Sequence, residues 1–171
     1  MANNKEFFEK LYRCAPANMH GLYVSVMLAQ AALESGYGKS ELTKKYNNYF
    51  GILADKSWTG KKVTFNNGFT YRVYESARES VQDYINFLLK NSRYKKAGVF
   101  NAASPEAQAN ALQNAGYAGR TTTYAGKIIS IINTYNLTQY DKKKRRKRVI
   151  VISLFAGLVL FTFKYLSSKK S

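Results

Sequence analysis

The apolar and polar positions divide the chain into helical stretches interrupted by one β-leaning segment. Residues Lys5 to Tyr12 carry the spacing of a short amphipathic helix. From about Met19 to Ser35, the residues Leu22, Val26, Ala29 and Leu33 recur at helical intervals. That spacing predicts a helix with a buried stripe, capped by Asn18 and ended by Gly36 and Gly38. Glu34 falls in its last turn, beside the stripe. Tyr46-Asn47-Asn48-Tyr49-Phe50-Gly51 reads as a turn-rich loop. Two β-leaning runs, Lys61 to Phe65 and Phe69 to Tyr74, flank Asn66-Asn67-Gly68, a hairpin signal. Helical spacing returns from about Ser76 to Leu89, with Val81, Tyr84, Ile85, Leu88 and Leu89 on one face. Ser104-Pro105-Glu106 opens the next helix, with Ser at the cap and Pro at the first helical position, and it ends near Gly116. A last helix spans about Tyr124 to Tyr135, burying Ile128, Ile131 and Ile132. The pattern predicts a mainly α domain with one small β-hairpin and no internal repeat.

After Asp141 the pattern changes. Lys142 to Arg148 is an unbroken basic run, followed by fifteen uncharged residues, VIVISLFAGLVLFTF, at 149–163. A full span needs about 20 residues. Lys164 can snorkel and Tyr165 suits the interface, so residues 149–166 are expected to form a transmembrane helix. The expected organisation is a domain over 1–141, a basic juxtamembrane linker over 142–148, the transmembrane helix over 149–166 and a basic tail over 167–171.

Charge sharpens this division. Residues 1–141 hold 17 Lys and Arg against all 10 acidic residues, a balance of +7 within the total of +17. The other ten basic residues lie in 142–171, which has no acid. Such a balance suits a polyanionic partner. The basic run abuts an apolar segment, which favours anionic lipid headgroups over specific nucleic acid. Seven basic residues before the apolar run and three after it predict a cytoplasmic N-terminal domain on a single-pass C-terminal tail anchor. The N-terminus lacks the pattern of a secretory signal peptide. A cationic tail that permeabilises bilayers by itself is a further reading of 142–171.

The 14 Tyr and 10 Phe suit a wet, amphipathic surface of the kind that meets sugar rings, as well as ordinary packing. With one Cys, Cys14, and one His, His20, no internal disulfide and no metal-ligand cluster is expected, and no signature supports a Cys–His dyad. No cofactor is expected. Glu34 is the one acidic residue inside an apolar helix stripe. A carboxyl there has reason to hold its proton, because a low dielectric disfavours its charged form. A glycosidase needs such a group to protonate the leaving oxygen.

Four blocks narrow the choice. AQAALESGYGKS (Ala29 to Ser40), YNNYFGI (Tyr46 to Ile52), NAGYA (Asn114 to Ala118) and YAGKIISII (Tyr124 to Ile132) together resemble the endo-β-N-acetylglucosaminidases of glycoside hydrolase family 73. These include flagellar-type peptidoglycan hydrolases and bacterial autolysins. The resemblance covers about residues 19–137. It implies a lysozyme-like α-lobe and a β-hairpin lobe across a sugar-binding groove, and cleavage after N-acetylglucosamine in the glycan strand. It implies that Glu34 is the general acid, that Asn48, Phe50 and Gly51 shape the groove floor, and that Tyr117 and Tyr124 stand close to the catalytic centre.

One departure matters. The family often carries a second carboxylate in the β-lobe, yet Lys61 to Tyr74 contains no Asp or Glu. Asp55 precedes the hairpin and reaches the groove only if its loop folds inward; Glu75 follows it and reads as structural. An inverting enzyme holds two carboxyls about 6.5–9.5 Å apart. Without the second, either the substrate's acetamido group attacks, with Tyr117 assisting, or a single Glu serves a lytic transglycosylase or muramidase-type cleavage. Trp58, before the hairpin, either stacks on a sugar or plugs the hairpin's hinge. A wall-binding structural module with a weakened site is the reading from another class. The expected partners are peptidoglycan glycan strands and, through 142–148 and 149–166, a lipid membrane. A bacteriophage protein, in a host membrane or the membrane of a virus particle, reconciles a wall substrate with cytoplasmic orientation.

Overall fold

A computed structural model describes residues 2–146, apart from residue 67. Helix α1 (Ala2–Cys14) is followed by α2 (Val24–Ser35) and α3 (Glu41–Tyr46). Strands β1 (Lys62–Thr64) and β2 (Thr70–Arg72) form a two-stranded antiparallel sheet in which Val63 faces Tyr71. Then come α4 (Ala77–Lys90), α5 (Ser92–Lys96), a 3-10 turn (Val99–Asn101), α6 (Pro105–Asn114) and α7 (Tyr124–Thr134). Residues 138–146 are helical again.

Helix α2 is the axis of the molecule. It packs against α1, α6 and α7, and ten of its residues are buried, Val24 through Ala32 and Ser35. It has no polar face to turn to water, so it is a central helix rather than an amphipathic one with a single stripe. Its start differs from the sequence expectation. Residues 19–23 form a turn in which His20 and Gly21 have φ of 52° and 85°, and Asn18 Oδ1 accepts from His20 N within that turn. A side chain at Gly21 would sit 2.1 Å from the carbonyl oxygen of Phe100, so the chain passes too closely there for a helix to begin. Its end is as expected: Gly36 adopts φ 57° and its N–H bonds to Ala32 O.

The other caps follow from residue chemistry. Ser40, Ser76 and Ser104 each accept from the N–H three residues on, opening α3, α4 and α6. Pro105 takes the first helical position, where its missing N–H is no loss. On α4, Val81, Tyr84, Ile85 and Leu88 are buried, whereas Leu89 is 40% exposed. The 138–146 helix lies against α1: the Tyr140 ring meets that of Tyr12 at a 45° tilt, 5.0 Å between centroids, and its hydroxyl donates to Glu9 at 3.1 Å, while Lys144 Nζ donates to Ala15 O at 2.8 Å.

The expected fold class is corrected in one respect. It included a C-terminal transmembrane helix, but no helix among the described residues is long and apolar enough to cross a membrane. The longest of those given above, α4, has 14 residues and carries Arg78, Glu79, Asp83 and Lys90, against a requirement of about 20 apolar residues. The expected span 149–166 and tail 167–171 lie outside the described residues. The described fold is mainly helical with one small sheet, consistent with a lysozyme-like architecture.

Candidate active site

Glu34 stands in the last turn of α2, half-buried, where the helix meets the 47–52 loop. The hydroxyl of Tyr124, the first residue of α7, donates to its Oε1 at 2.8 Å. Burial lifts the Glu34 carboxyl above its ordinary range, and the Tyr124 bond, which favours the ionised form, offsets part of that rise. Gly51 approaches from the opposite side with φ 64°. A methyl group there would lie 3.7 Å from Oε2, so a larger side chain would crowd that oxygen.

Aromatic rings complete the surroundings. Tyr117 stacks on Tyr124 at 5.8 Å between centroids, and its hydroxyl donates to Phe50 O at 3.1 Å. Tyr84 lies flat on Phe50 at 4.1 Å. Burial is the chief reason all three tyrosines are pushed up, and the nearby Glu34 charge adds to it in each case. They stay protonated wherever Glu34 titrates, so they can act as hydrogen-bond donors and not as bases.

The 47–52 loop is built around Asn48. Its amide donates to Ile52 O at 3.0 Å and Arg72 O at 2.9 Å, and its Oδ1 accepts from Ile52 N at 3.1 Å and Phe50 N at 3.4 Å. Asn48 and Phe50 are 1% and 2% exposed. They shape the loop from beneath, and the loop sets the Gly51 backbone beside Glu34.

Asp55 and Trp58 belong to a second cluster, centred on Arg72 of β2. Arg72 is buried and donates to Leu53 O, to both oxygens of Asp83 on α4 and to Asp55 Oδ2. Its guanidinium lies 4.5 Å from the Trp58 ring centre, and the Trp58 Nε1–H donates to Lys61 O at 3.0 Å. Trp58 is half-buried at the foot of the hairpin. Hydrogen bonds from Ser57, aided by Arg72, hold the Asp55 carboxyl below its usual range. Glu75 pairs with Lys61 at 2.6 Å. The structure therefore brings together Glu34, Gly51, Tyr117, Tyr124 and the Phe50 backbone, and ties Asp55, Trp58 and Glu75 to the hairpin. Cys14 donates to Lys10 O in its own helix, and no group of three or more His, Cys, Asp or Glu able to hold a metal occurs among the described residues.

Sequence reasoning overlooked Gln30 and Tyr84 as part of this site. Gln30 Nε2 donates to the Tyr124 hydroxyl at 2.9 Å, and the Tyr84 hydroxyl donates to Gln30 Oε1. The available signal was position: Gln30 precedes Glu34 by one helical turn, a polar residue in a wholly apolar stretch.

Comparison with known proteins agrees with this geometry. Residues 13–137 match the glucosaminidase family, described as mannosyl-glycoprotein endo-beta-N-acetylglucosaminidase. The chain is 37% identical over 147 residues to the peptidoglycan hydrolase FlgJ of Salmonella typhimurium, covering 76% of this chain and 46% of that protein. It is 38% identical over 143 residues to a probable N-acetylmuramidase of Lactococcus lactis, covering 73% of this chain and 31% of that protein. The chain thus spans less than half the length of these relatives. Among solved structures it resembles the catalytic domain of the autolysin Auto from Listeria monocytogenes, with a TM-score of 0.67 at 32% identity, over 82% of this chain and 88% of that one. A family match over residues 13–137, with relatives and solved structures above 30% identity, leads to one assignment: the chain belongs to the glucosaminidase family.

Proposed function

We propose that this protein hydrolyses peptidoglycan, cleaving the N-acetylglucosaminyl β-1,4 bond of the glycan strand with Glu34 as general acid. The observation that carries the reading is the carboxyl itself: half-buried, raised by that burial, hydrogen-bonded on Oε1 by Tyr124 and flanked on Oε2 by a residue without a side chain. A carboxyl that holds its proton more firmly than usual is suited to protonating a leaving glycosidic oxygen. The names of the relatives, a peptidoglycan hydrolase and an autolysin, support the substrate class.

The β-lobe favours chemistry with one carboxylate. Asp55 is held ionised by Ser57 and Arg72, and Glu75 is paired with Lys61. Attack by the substrate's acetamido group, with Tyr117 close by, fits these ties. Single-Glu cleavage of the muramyl bond is the second reading, supported by the relative named probable N-acetylmuramidase. Digestion of purified sacculi separates them. New N-acetylglucosamine reducing ends are expected, whereas anhydro-muramyl ends indicate the transglycosylase route. Glu34→Gln is expected to lose activity by about a thousandfold, the middle of the range for a positioned proton donor. Equal clearing by variant and wild type, or by neither, would defeat the enzymatic reading and favour a wall-binding module.

The proposal extends to the place of action. Seven consecutive charges at 142–148 suit anionic lipid headgroups, and in a bacteriophage setting they would hold the enzyme at the host or particle membrane.

A further inference from the structure

Three hydrogen bonds, the first two of them buried, run in one direction toward Glu34. The Tyr84 hydroxyl donates to Gln30 Oε1, Gln30 Nε2 donates to the Tyr124 hydroxyl at 2.9 Å, and that hydroxyl donates to Glu34 Oε1 at 2.8 Å. Gln30 is fully buried, and Tyr84 and Tyr124 are 1% and 4% exposed.

The direction follows from the inventory of donors. A carboxamide has one end that only accepts and one that only donates. Tyr84 occupies the accepting end of Gln30. The donating end then points at the Tyr124 oxygen, which leaves the single Tyr124 proton for Glu34 Oε1. An oxygen already accepting that proton is the poorer place for the carboxyl's own proton. The transferable proton is left to Oε2, the oxygen beside Gly51, where the residue has no side chain and leaves room.

We propose that Gln30 is a positioning residue: by fixing the direction of the Tyr84–Gln30–Tyr124 chain, it keeps Oε1 of Glu34 an acceptor and places the reactive proton on Oε2. Gln30 touches no substrate; it acts through Tyr124. The inference rests on the reading of Glu34 as the proton donor, and it names what makes one of two chemically equal oxygens the donor. The titratable groups that face Glu34 are Tyr84 on α4, Tyr117 after α6 and Tyr124 on α7, and all three remain protonated.

The test is a double-mutant cycle between Gln30→Met, which keeps the side chain's length but removes both ends of the amide, and Tyr124→Phe. Each single variant is expected to lower kcat on sacculi about tenfold, the worth of one neutral hydrogen bond, with KM unchanged. The pair together should lose no more than Tyr124→Phe alone. In parallel, the titration of Glu34 is followed by carbon-13 resonance of its carboxyl in the intact protein. Its midpoint should rise in Gln30→Met and in Tyr124→Phe, because a bond favouring the carboxylate is weakened, and should not rise further in the pair. Losses that multiply, or a Glu34 midpoint that Gln30→Met leaves in place, would overturn the proposal. Tyr84→Phe, at the far end of the chain, serves if Gln30→Met fails to fold, and should shift the midpoint the same way. The resonance readout needs no activity, so a protein without glycosidase action would sink the function and still decide the chain.

Discussion

Ionising Glu34 in the folded protein means holding a charge among tyrosine rings, and the hydrogen bond from Tyr124 offsets only part of that burden. Its pKa is therefore raised on folding, from an ordinary 4.5. Through the window above that value, the native state binds more protons than the unfolded chain, so stability falls as pH rises. The contribution is complete below the unfolded pKa and is lost as pH climbs through the folded one. Glu34→Gln removes the charge while keeping an oxygen to accept from Tyr124. It should raise Tm at pH 7, by about 2–4 °C for each kcal/mol recovered in a chain of this size. The gain should vanish at pH 4, where wild-type Glu34 is itself neutral. Thermal unfolding of both proteins at the two pH values checks this, and a variant less stable than wild type at pH 7 would contradict it. The same arithmetic explains why such a residue is seldom found without a chemical use: nothing in the packing calls for a carboxyl there.

Helix α2 carries Glu34 at one end, and its other end is held from outside its own sequence. Its cap residue, Tyr23, makes no side-chain bond to the first turn. Instead Asp141, on the 138–146 helix, accepts from Ser25 N at 3.0 Å through Oδ1. A carboxylate over the first turn satisfies an orphan amide and faces the positive end of the helix dipole. Asp141→Ala should cost about 1–2 kcal/mol, the usual worth of a cap. Asp141→Asn, which keeps the acceptor, should recover much of it. Urea denaturation compares the three proteins, and equal stability of all would mean that Ser25 N finds another partner. This contact also shows where sequence reading stops. Ser104, Pro105, Gly36 and the pairing of β1 with β2 announce themselves, because each signal lies within a few residues of what it controls. The start of α2 does not, because it is decided by the approach of Gly21 to Phe100 and by a cap more than a hundred residues away. Helices α3 and α5, of six and five residues, are too short to show a period and went unanticipated. Around Glu34 the structure gathers Tyr117 and Tyr124, which the motif resemblance singles out, and Gln30, which it does not, because the partners of Gln30 are brought near only by the fold.

Across the whole molecule, charge is divided as the chain is: +7 over 1–141 and ten basic residues with no acid beyond. Part of the second group is taken up by the fold, since Lys143 pairs with Glu9 at 3.6 Å and Lys144 bonds to Ala15 O. Lys142, Arg145 and Arg146 on the same helix are exposed. If the basic run meets anionic headgroups, these three side chains should dominate, each worth about 1 kcal/mol near such a surface. Replacing all three by Gln should then weaken binding to phosphatidylglycerol vesicles about a hundredfold. Wild-type binding should also fall steeply as salt shortens the Debye length from about 10 Å to about 3 Å. Cleavage of a neutral N-acetylglucosamine oligomer should be unchanged by either treatment, because a neutral chain gives those charges nothing to attract. Co-sedimentation with vesicles and the oligomer assay, run on the same preparations, separate the two roles. Vesicle binding that survives both the substitutions and high salt would mean that something other than these charges holds the protein to lipid. A parallel loss of oligomer cleavage would mean that the 138–146 helix supports α2 and the site through its packing, and that its charges have no separate task.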